Sequence, residues 1–378
     1  MNLQPLRTWT LTIALLATAT AVSAPSLAHD GLVRTQASDA QAKADAFDAI
    51  MRGHGIPGAQ LLWSHAGTSE EFDYGVTRLH AAGKVTPDTV FEAASLSKVL
   101  AAYIVMRMVD AGQMDLDTPL WNYWHSPRTR DNPQARRITT RMVLDHTTGL
   151  KNWQVSPSSP AIDTAPLESL FEPGTRYSYS GEGFYLLQKT VEHITGTAWN
   201  ELAGKEVFAR FDMPDSSYVA VPAQESHRAR GHDADGVPDD GPGHARANTA
   251  YTLVTNAHDY GNFIRGALLE GKGLAPATHA LMLAEASDAD DHAMPSPADP
   301  YVSWGLGVGL QKVAGRTLVW HWGDNPGYKA FFMLDPASGD YLILFTNSDK
   351  GLSTYKQVLN LFFGKGDYPA VDWARSQS

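Results

Sequence analysis

FEAASLSKVLAAYIVMRMV, Phe91 to Val109, places a serine and a lysine three positions apart at the head of an apolar run. Val99, Ala102, Met106 and Val109 recur at helical spacing, and Gly112 is a stop signal, so the stretch reads as a helix. A lysine on a helix face bound for the interior is costly unless it is paired or loses its proton. Either Lys98 lays its apolar stem along the surface and keeps its charge in water, or it stays inside and activates Ser95. Residues three apart share a helix face, and side chains lean toward the N-terminus, so Lys98 can reach a serine on the first turn. Free N–H groups at that end can also hold a developing oxyanion. Ser353 and Lys356 repeat the spacing, but little chain follows them to supply further catalytic segments.

Outward from this helix, strand patterns lie at both ends of the sequence. Upstream, GAQLLWSHAG and EEFDYGVTRL read as two strands joined by a short turn. Downstream, RTLVWHW, YKAFFMLD and DYLILFTNS read as three more, and LSTYKQVLNLFFG as a closing helix. The middle is mainly helical, with GEGFYLLQKTVEHITG, Gly181 to Gly196, the clearest amphipathic helix. These patterns predict an α+β fold, with a mostly antiparallel sheet of N- and C-terminal strands flanked by helices. The sheet lobe covers about 43–112 and 301–365, and a helical lobe covers about 113–300. A cleft between the lobes is the natural place for a site. Residues 221–248 and 285–300 read as solvated loops. HDADGVPDD resembles the start of a calcium loop but lacks the closing glutamate.

The chain has 378 residues, 43% hydrophobic and 19% charged, enough for a large core. A net charge of -11 without a basic block argues against a nucleic-acid partner. There is no cysteine, which excludes disulfides, thiol catalysis and cysteine-ligated zinc. The 14 histidines are scattered without a metal-ligand spacing, so neither metal nor cofactor is expected. Arg7, the short apolar run Trp9 to Val22 and the small residues Ser26 and Ala28 form a secretory leader over residues 1–28. The mature chain would begin at His29 as one hydrolase domain, 29–378, with residues 29–42 a polar tether, a helix opening near Lys43, and no membrane span. The expected location is periplasmic or secreted.

Two further segments carry candidate chemistry. In EPGTRYSYSGEGF, Tyr177 or Tyr179 can turn its hydroxyl into a cleft. Beside a lysine ammonium its pKa would fall, and it would serve as base and then acid to Ser95; either tyrosine can instead simply pack. In VWHWGDNPGY, Gly323 beside a strand edge permits close approach, and the Asp324 N–H is a second oxyanion donor. His321 can bind substrate, assist proton transfer, or pack between Trp320 and Trp322. Trp320, Trp322 and Tyr328 suggest an aromatic wall.

Together the three segments resemble the serine hydrolases of the β-lactamase and penicillin-binding family, on its class C side. Ser95-Leu96-Ser97-Lys98 matches that family's Ser-x-x-Lys, Tyr179-Ser180-Gly181 stands at its Tyr-x-Asn, and His321-Trp322-Gly323 at its Lys-Thr-Gly or His-x-Gly. LDHTTGL and PGTRYSYSGEGFYLLQ agree with it, and the resemblance runs from about Ala46 to Phe363. It implies nucleophile Ser95, activating Lys98, proton-shuttling Tyr179, and an oxyanion hole from the N–H groups of Ser95 and Asp324. Gly181 departs from the family's asparagine, and Glu182 is a conceivable substitute offering only acceptors. His321 departs from a lysine that meets a substrate carboxylate. The expected activity is hydrolysis of ester, D-amino-acid amide or peptide-like substrates through an acyl-Ser95 intermediate. A β-lactamase or D,D-carboxypeptidase is the alternative, and a penicillin-recognising sensor without turnover is the alternative of another class. The absence of a G-x-S-x-G elbow gives a Ser-His-Asp hydrolase no support.

Overall fold

The computed structural model describes Met1 and residues 27–377. The leader assigned to residues 1–28 therefore lies, but for Met1 and its last two positions, outside the described residues. The chain forms two units, 1–42 and 43–378. Helix α1, Leu27–Gly53, begins in the first and ends in the second, so residues 29–42 are helical rather than a tether. Their alanine- and glutamine-rich sequence carries good helix formers, and the single Gly31 does not stop them. No helix among the described residues is long and apolar enough to cross a membrane.

The second unit is built on an eight-stranded antiparallel sheet. Its strands are β1 (Gly58–His65), β2 (Thr68–Gly75), β5 (Ser287–Asp288), β6 (Val302–Trp304), β7 (Gly309–Val313), β8 (Arg316–Asn325), β9 (Tyr328–Leu334) and β10 (Tyr341–Thr346). They lie in the order β2-β1-β10-β9-β8-β7-β6-β5. The N-terminal hairpin thus joins the C-terminal strands through β1 and β10, with Leu61 opposite Leu344. Two short strands, β3 (Phe91–Glu92) and β4 (Val254–Thr255), pair separately.

Alternate residues of β8, β9 and β10 feed two cores. Val319, Phe332, Ile343 and Phe345 pack on one face with helix α2, Ser97–Asp110. Trp320, Trp322, Phe331, Met333 and Leu344 pack on the other with Phe47 and Met51 of α1 and the C-terminal helices. Burial of both faces is why these strands read as continuous apolar runs rather than alternating ones. Helix α2 is apolar all round and buried from Ser97 to Met106, as a helix in the middle of a large core must be. Helix α3, Gly181–Thr195, is capped by Ser180, whose Oγ accepts from the Gly183 N–H at 3.1 Å, and ends at left-handed Gly196. After α4, Tyr355–Phe362, the chain forms a further helix, α5, Pro369–Ser376, that the sequence reading had not foreseen.

Candidate active site

Ser95 lies in a single 3-10 turn, Ala94–Leu96, that runs directly into α2. Ala94 holds φ +48, a left-handed conformation that costs a non-glycine residue about 1–3 kcal/mol. The turn is pinned from several sides. Ser97 Oγ donates to the Ala94 carbonyl at 2.5 Å and accepts from the Leu253 N–H at 2.9 Å. The buried hydroxyls of Tyr218 and Tyr260 donate to the carbonyls of Ser97 and Leu96. Sequence reading had passed over these supports, because a lone Ser or Tyr carries no pattern.

Lys98 is 1% exposed, so the surface-seeking alternative fails: a helix buried on every side leaves its stem no route to water. Its Nζ stands 3.0 Å from Ser95 Oγ and 2.8 Å from the Ala250 carbonyl oxygen. Burial holds its pKa well below the ordinary lysine value. The competing pair dissolves: Ser353 Oγ donates to the Lys350 carbonyl, while Lys356 reaches Asp372 at 2.7 Å.

The two tyrosines separate cleanly. Tyr177 packs away from the cleft against Trp304 and Trp373. Tyr179 lies under Lys98, with Nζ 4.7 Å from its ring centroid, and its ring is 4.8 Å from that of Trp322. Its buried hydroxyl completes no hydrogen bond among the described residues. The expectation of a lowered tyrosine pKa is overturned. Burial pushes it up, and neighbouring Ser95 offsets only part of the rise, without completing a bond of standard geometry. The same burial disfavours the Lys98 charge and so weakens it as the assumed cation.

His321 is buried, and its Nδ1 lies 2.7 Å from the Trp322 carbonyl oxygen, which therefore accepts from Nδ1–H. Burial, reinforced by Lys98, pushes its pKa down to about 3. At neutral pH it is an uncharged ring whose Nε2 is an unpartnered acceptor. Behind Tyr179, at 4.3 Å between ring centroids, His146 accepts the Ser180 N–H at Nδ1. Burial and then Lys98 hold it well below the usual histidine range.

Asn325 and Tyr328 close the two-residue turn between β8 and β9. Asp324 and Lys329 then form a non-hydrogen-bonded pair, and the Asp324 N–H points away from β9. The edge it faces is free, because β7 pairing ends at Gly309 and Trp320. Gly323 lets the serine turn press on this edge: a Cβ there would stand 2.4 Å from the Ala93 carbonyl oxygen. Lys329 steadies the edge, bridging Asp324 at 2.9 Å and Asp349 at 2.8 Å.

A cavity of about 260 Å³ opens here, lined by Ser95, Asn152, Tyr179, Met294, Trp322, Asp324 and Gln377. Sequence reading brought Ser95, Tyr179, Trp322 and Asp324 to this place and missed the other three. Of the expected aromatic wall only Trp322 lines it. Trp320 is fully buried behind it, and the buried Tyr328 hydroxyl donates to the Ala229 carbonyl. The 285–300 stretch, read as a solvated loop, supplies Met294. Gly181 does not line the cavity: its N–H donates to Asn152 Oδ1 at 2.8 Å, and a Cβ on it would meet Trp153 at 2.4 Å. Glu182 is no substitute for the missing asparagine. Both its oxygens are held by buried Arg128 at 2.6 and 3.0 Å.

Asp145, next to His146, is buried, and burial raises its carboxyl to about 6 from 3.8. The folded chain thus keeps a proton that the unfolded chain releases. The associated stability is complete below about pH 4 and is lost as pH rises through about 6. Asp145→Asn retains the oxygen that accepts from the Thr147 N–H and hydroxyl. The variant is expected to melt a few °C above the parent at pH 8, on the order of 2 kcal/mol, and level with it at pH 4. Thermal melts at the two pH values check this.

A serine hydroxyl 3.0 Å from a buried amine, with a phenol beside it on the same cavity, is the arrangement of a serine hydrolase, and the protein is an enzyme of that class. A beta-lactamase family model matches residues 44–358, and the chain belongs to that family. It is 26% identical over 339 residues to penicillin-binding protein 4 of Amycolatopsis lactamdurans, covering 84% of this chain and 88% of that protein. It is also 26% identical over 212 residues to esterase EstB of Burkholderia gladioli, spanning 49% of this chain and about half, 53%, of the esterase. The D-alanine carboxypeptidase AmpC from Burkholderia cenocepacia shares the fold with a TM-score of 0.72 at 18% identity, over 87% and 99% of the two chains.

Proposed function

We propose that the protein is an exported hydrolase that cleaves esters or amides through an acyl intermediate on Ser95. The observation that carries this reading is the Lys98 amine, sealed from water and 3.0 Å from Ser95 Oγ, with a backbone carbonyl as its other polar partner. An uncharged amine there can take the serine proton as Oγ attacks the substrate carbonyl carbon. The resulting oxyanion sits against the N–H groups of Ser95 and Asp324. On collapse, the bond to the leaving group breaks and that group takes the Tyr179 proton, while Lys98 returns its proton to the phenol oxygen. Water then attacks the acyl carbon, its proton passes through the same pair, and Ser95 is restored. Tyr179 works as a neutral acid in this scheme, as its raised pKa requires.

Ester and small amide substrates fit best. His321, uncharged and accepting at Nε2, offers a substrate carboxylate no cation, and Gly181 offers an acylamino group no side chain. The relative named an esterase supports the same choice. One observation favours a D,D-carboxypeptidase or β-lactamase instead: Asn152 lines the cavity and, with Oδ1 engaged by Gly181, keeps its Nδ2 donor for a substrate carbonyl. The leader reading places the mature protein in the periplasm or outside the cell, and intact mass of protein recovered from the envelope tests for a start at His29.

Short-chain activated esters and a chromogenic cephalosporin, assayed side by side with intact-mass detection of the adduct, test the proposal. Rapid ester turnover with an acyl group mapped to Ser95 is expected. Faster cephalosporin turnover would reverse the order of the two readings. Tyr179→Phe is expected to lower kcat by about 10²–10⁴-fold. Its melting temperature should hold, because the hydroxyl it removes completes no hydrogen bond of standard geometry among the described residues.

A further inference from the structure

We infer that His146 is the positioning residue of Tyr179: its main-chain carbonyl and its ring nitrogen grip the chain on both sides of the tyrosine and hold the phenol on the cavity beside Ser95. The inference rests on the proton-carrying role given to Tyr179 in the proposed scheme.

The Tyr179 hydroxyl completes no hydrogen bond of standard geometry among the described residues, so the phenol does not anchor itself. The hold comes from the LDHTTGL segment, whose histidine the sequence reading gave no task. The Ser178 N–H donates to the His146 carbonyl at 2.8 Å, and the Ser180 N–H donates to His146 Nδ1 at 3.1 Å. The imidazole itself lies 4.3 Å from the Tyr179 ring, 30° from parallel. One residue thus fixes the chain before the phenol, the chain after it, and one face of the ring.

The backbone of His146 is bent to this task. The residue follows the short helix Thr140–Leu144 and Asp145, and it holds φ +59. A left-handed position just past a helix goes to glycine or asparagine when the backbone alone decides. Neither of those could supply both an acceptor for Ser180 and a ring against Tyr179. The seat is firm. The Leu144 and Thr147 carbonyls accept from the Gly307 and Gly174 N–H groups, each at 2.8 Å, and the Asp145 carbonyl accepts from Ser287 Oγ at 2.7 Å. The histidine is 1% exposed and packs 5.4 Å from Phe184 and 5.2 Å from Trp304, ring to ring. Because Nδ1 accepts from an N–H, the uncharged ring carries its proton on Nε2, which keeps the Nδ1 lone pair on Ser180.

The test is a double-mutant cycle on benzyl acetate, whose alcohol departs only with a proton. In the parent, His146→Leu should lower kcat about 10–100-fold and change KM by less than about twofold. In Tyr179→Phe, where no phenol remains to be placed, the same change should lower kcat by less than about twofold. His146→Gly relaxes the backbone while removing the same side-chain contacts, and it carries the cycle where the leucine variant does not fold. His146→Asn keeps an acceptor on Cγ and should stand several-fold above His146→Leu in kcat. Equal losses in the parent and Tyr179→Phe backgrounds would make His146 a packing residue and overturn the inference. A parent-level kcat in His146→Leu or His146→Gly overturns it too. A parent-level kcat in Tyr179→Phe alone removes the tyrosine from the scheme, which is the reading beneath the inference.

Discussion

Ser95→Ala is expected to abolish the acyl adduct and to lower kcat/KM by about 10⁴-fold or more on the best ester. The size follows from the number of functions gathered on one oxygen. Ser95 Oγ is the nucleophile of the scheme and the group that Lys98 Nζ meets at 3.0 Å. Without it Lys98 keeps only the Ala250 carbonyl, and no other hydroxyl can take over the attack, since Tyr179 is held protonated by burial. The fold should be spared. Ser95 is only partly buried, and the strained turn is pinned through Ser97, Tyr218 and Tyr260 rather than through Oγ. Steady-state kinetics, intact mass and a thermal melt on the same preparation check all three statements. Parent-level turnover by the variant would take Ser95 out of the mechanism.

Gly323→Ala is expected to reduce kcat by about 10²–10³-fold with a smaller change in KM. A methyl group at this position would stand 2.4 Å from the Ala93 carbonyl oxygen and 3.0 Å from Ala94 Cβ. Neither neighbour can give way cheaply, because one is backbone and the other is left-handed Ala94, directly before Ser95. Strand β8 and the serine turn must therefore part. That displaces the Asp324 N–H from the Ser95 N–H, and losing one such donor raises the barrier by about 2.7–4 kcal/mol. Overpacking lowers stability by a further 1–3 kcal/mol or about that. Rate and melting temperature should fall together. A variant with normal kcat would show that the oxyanion is held elsewhere.

How much of this was legible in the sequence depended on whether a residue belonged to a pattern. The strands at both ends, the apolar helix after Ser95 and the helix closed by Gly196 follow from periodicity and caps. Ser95, Lys98, Tyr179 and Asp324 could be brought together because each sits in a segment with a spacing or a resemblance. Asn152, Met294 and Gln377 could not. They come from loop and chain-end segments whose composition says only that they are exposed, and only the tertiary fold turns them toward the cavity. The Tyr179 pKa was misjudged for a related reason. A sequence shows that a lysine is near a tyrosine, but the sign of the shift was decided by how completely both are removed from water. The aromatic wall was misassigned because three aromatic residues close in sequence were credited to one surface, whereas burial leaves only Trp322 on the cavity.

The indole of Trp153 occupies the space beside Gly181, within 2.4 to 2.8 Å of where a Cβ would be, and packs edge-on against Tyr251. The two side chains compete for one space: any residue larger than glycine at 181 requires the Trp153 indole to move off its present seat. Shrinking Trp153 would therefore open room for a side chain at 181 without any change in the backbone that carries it.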